Sequence, residues 1–348
     1  MFEKQLVIGM PAGSLANPAR GGNLVQLLEK AGFRTKGYET GGPSKFVTTN
    51  FLFGWDGRPQ EFGSQLGIGE LDVAIAGDDW ILERVLELKL EYKSQIKLEK
   101  VLSLNRGNVK IVGITTHDEG TDIKSFLKEL TRHKKTITVV TEMPYLALNW
   151  LQKTFGEMGM LNEFSKFSVQ KYKTPSKIEK GILIYETWGK TEAKVKNGGA
   201  DLGVEITQSG SAIRNYGLNV VDTLMQSETG IYINPELKKD EEKQELLKMF
   251  LLNLYGVVNA ENKVMILFNV PNENVDEIEE YLGNHALFAD EPTKNTGKSF
   301  TEFSIQVDIE NIKQSLAVVR YQLAKKGAVN IDTIPIDSSI QNMNVLKL

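Results

Sequence analysis

The residues best suited to bind an anion lie between positions 199 and 217, where a short apolar strand pattern ends in Glu205. A small polar turn follows, Thr207-Gln-Ser-Gly-Ser211, and the next residues have the pattern of a first helical turn. Small residues let the backbone approach a phosphate, and N–H groups at a helix N-terminus point towards it. The segment predicts a phosphate-binding loop, with Glu205 placed for ribose hydroxyls or a metal-bound diphosphate. A strand-to-helix loop with a Ser or Thr cap uses the same residues and is the alternative.

Other kinds of site have weaker support. Cysteine is absent, which excludes disulfides, thiolate nucleophiles and cysteine-bound zinc. The three histidines lack metal-ligand spacing, and Gly67-Ile-Gly69 lacks the third glycine of a dinucleotide-binding fingerprint. Trp55, Trp80, Trp150 and Trp188 are more typical of core or cleft-wall aromatics than of base-stacking platforms.

The composition is that of a globular protein. A chain of 348 residues predicts two or three domains, and 41% hydrophobic with 25% charged residues is an ordinary balance. The net charge of −4, with both signs interspersed, favours neither a nucleic-acid nor a membrane partner, so an anionic ligand requires a local cluster of donors. The first ten residues have a short strand pattern without a signal-peptide core, and no run approaches a membrane span; we expect a cytoplasmic protein.

Strand and helix patterns alternate along the chain. Strands are predicted at 6–10, 72–76, 109–115, 136–140, 168–172, 182–185, 200–205, 220–221, 230–233, 263–270, 300–307 and 329–334. Helices are predicted at 22–31, from 77 onward, and at 121–132, 144–155, 191–197, 238–255, 275–282 and 309–325.

This alternation predicts an α/β protein with mostly parallel sheets, two lobes and a cleft between them. Ligands of such sheets bind at the C-terminal ends of the strands, which is where the turns at 11–15 and 205–211 lie. The β-α-β-α-β order after residue 262 predicts a small ferredoxin-like domain, with residues 259–262 as the linker.

Several motifs follow one another in order over roughly residues 6–335. They are the strand and turn at 6–15, the segment at 69–79, Thr141-Glu-Met-Pro144, Gly189-Lys-Thr-Glu192, the loop at 200–218 and parts of 264–328. This order resembles the long form of ATP phosphoribosyltransferase. The first four motifs are similar to the family's opening strand with its Pro-x-Gly-x-Leu turn, its Gly-x-x-Asp-Leu-Gly-Ile-x-Gly-x-Asp segment, its Thr-Glu/Lys-Tyr-Pro and its Gly-x-x-Glu helix start. The last two resemble its phosphoribosyl-diphosphate loop and its histidine-sensing domain.

The resemblance implies a periplasmic-binding-protein-like fold of two lobes with a third, regulatory domain. We expect lobe I at 1–115 with 218–258, lobe II at 116–217, and the C-terminal ferredoxin-like domain at 259–348. The implied reaction is the first of histidine biosynthesis, in which the 5-phosphoribosyl group moves from phosphoribosyl diphosphate to N1 of ATP and diphosphate leaves. Feedback by histidine and a homo-oligomer, a dimer or a hexamer, are also implied.

The same resemblance implies the site residues. For phosphoribosyl diphosphate they are Glu205, Thr207, Gln208, Ser209, Gly210, Ser211 and Ala212. For ATP they are Met10, Pro11, Gly13, Arg58, Asp78 and Glu142. Glu192 and Glu205 would position the reacting groups, and Mg²⁺ is the expected cofactor, held mainly through the substrate diphosphate. Glu142 and Glu192 also fit first-turn helix acids favoured by the dipole.

The chain departs from the family in its opening turn, where Ala12 and Ser14 stand in place of the usual Lys and Arg. Arg20, Lys45, Arg58 and Arg106 are the candidates for replacement positive charge. Two alternatives follow: a phosphoribosyltransferase homologue with a different acceptor or with lost activity, and a non-catalytic two-lobed protein that binds or senses a small anion.

Overall fold

The computed structural model describes residues 3–13, 15–16, 23–118, 120–287, 293–346 and 348. The chain forms two compact units. The first consists of Met1–Val25 and Thr35–Leu247, and the second of Gln26–Arg34 and Lys248–Leu348. The boundary therefore lies near residue 247, twelve residues before the predicted start of the C-terminal domain at 259. The division of the first part of the chain into two lobes stays a prediction.

The first unit contains eleven described strands. They are β1 (Leu6–Pro11), β2 (Thr35–Lys36), β3 (Lys45–Phe46), β4 (Leu52–Gly57), β5 (Val73–Gly77), β6 (Glu99–Thr115), β7 (Thr136–Thr141), β8 (Phe167–Lys171), β9 (Gly181–Glu186), β10 (Leu202–Thr207) and β11 (Asn219–Ile233). The described helices up to the end of this unit are α1 (Leu24–Lys30), α2 (Pro59–Gly67), α3 (Asp78–Leu90), α4 (Ile123–His133), α5 (Pro144–Glu157), α6 (Thr191–Lys196), α7 (Ser211–Asn215) and α8 (Glu241–Ala260). Helices α1 and α8 each cross from one unit to the other.

Nine of these strands form one continuous sheet in the order β4-β1-β5-β11-β6-β10-β7-β9-β8. The outer pairs on both sides are parallel, and the three pairs around β6 and β11 in the middle are antiparallel. The α/β class and the mostly parallel sheet are confirmed. The C-terminal ends of the parallel strands carry the turns before α2, α3, α5, α6 and α7, and these turns are where ligands of such sheets bind.

The two middle strands are longer than the sequence pattern predicts. Strand β6 begins at Glu99 instead of residue 109, and the two short strands predicted at 220–221 and 230–233 are parts of one strand, β11. Their pairing contains several register shifts, such as the one between Val220 and Asp222. Because each bulge shifts the alternation of side chains between the two faces, an even hydrophobic period is lost.

Helix α8 corrects two further predictions. It extends from Glu241 to Ala260 instead of over the predicted residues 238–255. Because Ala260 is buried at the end of this helix, the prediction of a linker at 259–262 is wrong. Asn259 and Asn262 are polar, but the apolar face of the helix continues past Leu254 through Val257 to Ala260. Burial of that face, and not the local composition, determines where the helix ends.

The second unit contains a four-stranded antiparallel sheet. Its elements are β12 (Lys263–Pro271), α9 (Val275–Asn284), β13 (Thr293–Thr296), β14 (Phe300–Asp308), α10 (Leu316–Lys325) and β15 (Val329–Pro335), and the strand order is β13-β14-β12-β15. This β-α-β-β-α-β arrangement confirms the ferredoxin-like fold. The sequence pattern missed β13 because all four residues of Thr-Lys-Asn-Thr are exposed and polar.

The core of the second unit includes Phe268 and Phe303, whose rings stack with centroids 5.3 Å apart. Helix α10 begins at Leu316, seven residues after the predicted start at 309, because Ser315 caps it and accepts a hydrogen bond from the N–H of Val318. Within the described part of the chain, no helix has both the length and the apolar character that crossing a membrane requires.

Candidate functional site

The predicted phosphate-binding loop is a tight surface turn. Strand β10 continues to Thr207, so the turn consists of Gln208, Ser209 and Gly210 before α7 begins at Ser211. The φ angle of Gly210 is +70°, in the left-handed region that favours glycine. The side chains of Gln208, Ser209 and Ser211 are exposed, so the loop is open to a ligand from solvent.

Hydrogen bonds within the loop fix its shape. The N–H of Gly210 donates to Thr207 Oγ1 at 2.9 Å, and Arg214 Nη1 donates to the carbonyl of Ser209 at 2.8 Å. The hydroxyl of Ser209 lies 3.0 Å from that of Ser211. The turn is therefore shaped before any ligand binds, which lowers the entropy cost of binding one.

A cavity of about 770 Å³ lies at the same edge of the large sheet. Its walls come from the turn after β1, the starts of α1, α2 and α3, the middles of β6 and β11, the turns after β7 and β9, and the end of β10. The lining residues are Ala12, Gly13, Leu15, Asn23, Leu24, Arg58, Pro59, Gln60, Gly77, Asp79, Trp80, Arg106, Gly107, Val109, Glu142, Trp188, Ile206, Gln208, Ser227 and Thr229. The volume is within the ~300–1,000 Å³ range of small-molecule sites.

Four of the residues predicted for the site line this cavity: Gly13, Arg58, Glu142 and Gln208. They belong to four separate turns or strand ends, so the fold brings together positions up to 195 apart in sequence, from 13 to 208. Of the phosphate-loop residues, Gln208 reaches the cavity, and the rest of the loop from Thr207 to Ala212 does not line it.

Three residues predicted for the ATP site lie elsewhere. Met10 is fully buried in the core, and the carbonyl of Pro11 accepts a hydrogen bond from the Tyr38 hydroxyl at 2.6 Å. The carboxylate of Asp78 accepts from Lys100 Nζ and from the hydroxyl of Tyr232. None of the three lines the cavity. Asp78 is turned towards β6 and β11, where Lys100 and Tyr232 engage it.

Asp79, the residue after Asp78, lines the cavity instead. Its side chain is 4% exposed, and Oδ1 accepts a hydrogen bond from the buried Ser227 hydroxyl at 2.9 Å. Burial raises the pKa of Asp79 above its ordinary value, while the bond from Ser227 opposes the rise. Asp78 and Asp79 are adjacent acids at the start of a helix, and the sequence does not indicate which of them faces the cavity.

Positive charge in the cavity comes from Arg58, before α2, and from Arg106, on β6. Burial lowers the pKa of the Arg106 guanidinium, though not enough to remove its charge at neutral pH. Two of the four candidates for replacement charge thus line the same cavity as Ala12. Lys45 is exposed and outside the cavity, and Arg20, like Ser14, lies outside the described residues.

Glu205 lies at the end of β10, close to two other carboxylates. Burial and then the negative charge of Glu192 raise the pKa of Glu205 to about 7, and Glu142 adds to the rise. The three glutamates come from β10, the first turn of α6 and the turn before α5. The negative charges of these carboxylates interact, so this part of the site favours a ligand group that donates hydrogen bonds.

The turn between β9 and α6 is held against the turn before α5. The N–H of Gly189 donates to Glu142 Oε1, and the N–H of Thr187 donates to the carbonyl of Thr141 at 2.9 Å. Gly189 has a φ of +71°, so the chain reverses sharply there. The preceding residue, Trp188, lines the cavity, and 60% of its surface is exposed.

Within the described residues, no group of three His, Asp or Glu side chains is arranged to hold a metal ion. Glu205, Glu192 and Glu142 do not form such a group. The donor set therefore does not fit a metal held by the protein alone.

Comparison with known proteins gives consistent matches. The family model described as ATP phosphoribosyltransferase matches residues 58–255, more than half of the chain. "ATP phosphoribosyltransferase 1" of Geobacter sulfurreducens is 28% identical over 341 residues, which cover 96% of this chain and 99% of the relative. The ATP phosphoribosyltransferase of Geotalea uraniireducens is 28% identical over 345 residues, with coverage of 96% and 99%. A solved ATP phosphoribosyl transferase (HisG:HisZ) complex from Thermotoga maritima superimposes with a TM-score of 0.49 at 15% identity, over 72% of this chain and 98% of that one.

Proposed function

The chain belongs to the ATP phosphoribosyltransferase family, and from this we propose that the cavity of its first unit binds ATP and phosphoribosyl diphosphate for one transfer reaction. The protein is an enzyme, a pentosyltransferase. It moves the 5-phosphoribosyl group to N1 of ATP, in the first step of histidine biosynthesis. The observation that supports the site is the convergence of Arg58, Arg106, Glu142 and Gln208 on one cavity beside the loop that follows Glu205.

The chemistry needs positioning and charge stabilisation more than a reactive side chain. N1 of adenine attacks C1 of the ribose, the bond from C1 to the diphosphate oxygen breaks, and diphosphate leaves with the electron pair. A ring nitrogen already carries a lone pair, so no activated serine or cysteine is required. Preorganised donors and charges around the developing diphosphate and the ribose cation provide the stabilisation.

The residues divide between the two substrates. Thr207, Gln208, Ser209, Gly210, Ser211 and Ala212 would hold the 5′-phosphate of phosphoribosyl diphosphate. Glu205 would accept hydrogen bonds from the ribose hydroxyls, and Glu192 would orient it. Arg58 and Arg106 would face the phosphate groups of the substrates, where each charge-assisted hydrogen bond contributes about 1.5–3 kcal/mol. Gly13 and Glu142 would contact ATP.

Magnesium enters this proposal with the substrate. Since the described carboxylates form no three-ligand group, the ion would be held mainly by the diphosphate oxygens, which suits its preference for a few protein ligands and several waters. Bound there, Mg²⁺ would neutralise the diphosphate.

The second unit would be regulatory. Its ferredoxin-like fold and the family membership support histidine as a feedback effector, and the alternative is a structural or oligomerisation module. Binding of histidine should change the affinity for ATP or phosphoribosyl diphosphate, and each substrate should change the affinity for histidine by the same factor. A homo-oligomer, dimer or hexamer, and a cytoplasmic location complete the proposal.

The turn after β1 favours a second candidate function. Ala12 lines the cavity where the family usually has a cation, so the phosphate contacts on that wall differ from those of the relatives. A phosphoribosyltransferase with a different heterocyclic acceptor would accommodate this change. Radiolabelled phosphoribosyl diphosphate and a panel of purines, pyrimidines and their nucleotides would separate the two candidates.

The direct test mixes the purified full chain with ATP, Mg²⁺ and phosphoribosyl diphosphate and follows the absorbance of the N1-ribosylated adenine. We expect product. The variant Arg58→Met should raise KM by about tenfold or more, because a charge-assisted contact to phosphate is lost. Lys45→Met, which removes an exposed cation outside the cavity, is the matched control and should leave KM unchanged. Absence of product together with absence of phosphoribosyl-diphosphate binding would refute the proposal.

A further inference from the structure

A second, smaller cavity adjoins the main one. Its volume is about 290 Å³, and five residues line both cavities: Arg58, Gln60, Trp80, Glu142 and Trp188. These five residues therefore form the junction of the two adjoining cavities. Two of them are tryptophans, although most residues with that much apolar area are buried in a monomer.

Trp188 is the more unusual of the two, because 60% of its surface is exposed although the turn that carries it is rigid. The N–H of the next residue, Gly189, donates to Glu142 Oε1, and Lys194 Nζ donates to the carbonyl of Gly189 at 2.6 Å. A mobile loop would leave an exposed indole without a fixed position. Here the backbone of Gly189, which follows Trp188, is hydrogen-bonded through both its N–H and its carbonyl.

Trp80 approaches the junction from another element. It lies in the first turn of α3, next to Asp79, and its half-buried side chain packs against the core beneath the cavity. Two indoles from different elements that line the same junction can contact a flat aromatic ligand over a large area. Stacking on aromatic side chains is the usual way in which proteins bind a nucleobase without reading its edge.

Glu142 supplies an edge contact at the same place. Its Oε1 is bonded to Gly189, and among the described residues its Oε2 accepts no hydrogen bond. A carboxylate oxygen accepts hydrogen bonds and cannot donate them while it is ionised. It suits the amino group at C6 of adenine and repels the oxygen at C6 of hypoxanthine or guanine.

We infer that Trp188 and Trp80 hold the purine ring of the acceptor, and that Glu142 selects a purine with an amino group at C6. This inference deepens the proposed function and rests on it. Glu142 is also close enough to Glu205 for the two charges to interact, so the proposed purine contact and the proposed ribose contact belong to one site.

The test measures nucleotide binding without phosphoribosyl diphosphate, by isothermal titration calorimetry with ATP and with inosine triphosphate as probes. Binding is used instead of turnover because N1 of hypoxanthine carries a proton and would react poorly even if it bound. The wild type should bind ATP about tenfold or more tightly than inosine triphosphate. Trp188→Ala should weaken ATP binding by about ten- to a hundredfold, and Trp188→Phe should retain most of it.

Glu142→Gln separates selection from stacking. Its amide can accept from an amino group or donate to a C6 oxygen, so the variant should bind ATP and inosine triphosphate within about threefold of each other. Phe53→Ala is the matched control, because Phe53 is an exposed aromatic on the edge strand β4 outside both cavities. That variant should bind ATP like the wild type.

The outcomes distinguish this inference from the proposed function. If the wild type forms product but Trp188→Ala binds ATP with unchanged affinity, the aromatic contact is refuted and the transferase function stands. If ATP binds in a Trp188-dependent way but no product forms, the inference stands and the proposed reaction is refuted. Equal affinity of the wild type for ATP and inosine triphosphate would refute the role of Glu142. Failure of the wild type to bind either nucleotide would overturn the whole inference.

Discussion

Glu83 and Glu205 are two glutamates of the first unit whose pKa is raised to about 7, and they differ in what surrounds them. In both, burial is the largest cause. Glu83 is 7% exposed on α3, and its carboxylate accepts hydrogen bonds from the backbone of another helix. Glu205 lies at the end of a strand, and its neighbours Glu192 and Glu142 carry charge of the same sign.

The bonds of Glu83 complete the start of α5. The N–H of Tyr145 donates to Oε1 at 2.9 Å, and the N–H of Leu146 donates to Oε2 at 2.6 Å. The residue before them, Pro144, has no N–H, and the N–H of Ala147 donates to the carbonyl of Met143. All donors of the first turn therefore have partners or are absent. Glu83 is a structural residue that joins α3 to α5.

The surroundings of Glu205 stabilise a negative charge less. Two glutamates raise its pKa, and hydrogen bonds from the Thr191 side chain and from the N–H of the adjacent Ile206 oppose the rise without cancelling it. A ligand with further donors, such as the ribose hydroxyls of phosphoribosyl diphosphate, would stabilise the ionised carboxylate. A raised pKa alone is therefore a weak sign of function, and the partners of the charged form distinguish a structural from a binding carboxylate.

The largest effect should follow from Glu83→Ala. Two buried N–H groups would lose their acceptor, so the free energy of unfolding of the first unit should fall by about 2–5 kcal/mol. All four tryptophans, at 55, 80, 150 and 188, belong to the first unit, so urea unfolding followed by tryptophan fluorescence reports on that unit alone.

Glu83→Gln is the conservative comparison, since it keeps one carbonyl oxygen for the two donors. It should lose less stability than Glu83→Ala. Both variants should keep the wild-type affinity for phosphoribosyl diphosphate at temperatures where they are folded. An alanine variant as stable as the wild type would show that the bonds to α5 contribute little and would remove the contrast with Glu205.

The next effect concerns the loop beside Glu205. Gly210→Val places a β-branched residue at a φ of +70°, with its Cβ 3.0 Å from Arg214 Nη1. The backbone strain is about 1–3 kcal/mol, and relief of that strain would move the N–H groups that we place at the 5′-phosphate. We expect product formation to fall at least about a hundredfold, a loss of roughly 3 kcal/mol in transition-state stabilisation.

Gly198→Val is the matched control for this change. Gly198 has a φ of +69°, and a Cβ there meets nothing within 4 Å, so its substitution adds similar strain away from the loop. It should lower stability by a similar amount and leave the kinetics near those of the wild type. Equal loss of activity in both variants would mean that strain, and not the loop, explains the effect.

Prediction from the sequence succeeded where a local rule and the tertiary fold agree. The proline that begins α5 at Pro144 marked its first residue, because a proline at that position lacks an N–H that would need a partner. Runs of mostly apolar residues gave β1, β5, β7 and β9 almost to their ends. Each of these strands is largely buried and has at least one parallel neighbour, so its apolar run is nearly continuous.

Prediction failed where long-range contacts decide. The start of β6 pairs with the end of β11, and the pairing of the two strands contains several bulges, so their residues alternate irregularly. The site shows the same limit. The sequence predicted Arg58, Glu142 and Gln208 as site residues, and all three line the cavity, but it did not show that Asp79 would face the cavity and Asp78 would not. That difference depends on Lys100 and Tyr232, which engage Asp78 from distant strands.

The smallest effect, and the one that separates the two glutamates most directly, is the pH dependence of Glu205. Its pKa in the folded protein, about 7, exceeds the ordinary value of 4.5 for an unfolded chain. The folded state therefore binds this proton more tightly, and the stability that the proton confers is lost as the pH rises from about 4.5 to 7. Gln carries no ionisable proton, so the Glu205→Gln variant does not lose this stability as the pH rises. The free energy of unfolding of the variant, relative to that of the wild type, should therefore increase between pH 5 and pH 8 by about 1–3 kcal/mol.

The same substitution should impair binding. A neutral amide accepts hydrogen bonds from ribose hydroxyls more weakly than a carboxylate, so KM for phosphoribosyl diphosphate should rise about tenfold at pH 8. It should also lose the wild-type improvement in kcat/KM as the pH rises through 7. Glu129→Gln, on the exposed face of α4, controls for the loss of one charge.

A substitution that raises stability but weakens ligand binding indicates a charge that serves the ligand. Such a residue contributes to function at a cost in stability. Glu83→Gln should lose stability and leave KM unchanged, and if Glu205→Gln behaved in the same way, Glu205 would be a second structural carboxylate.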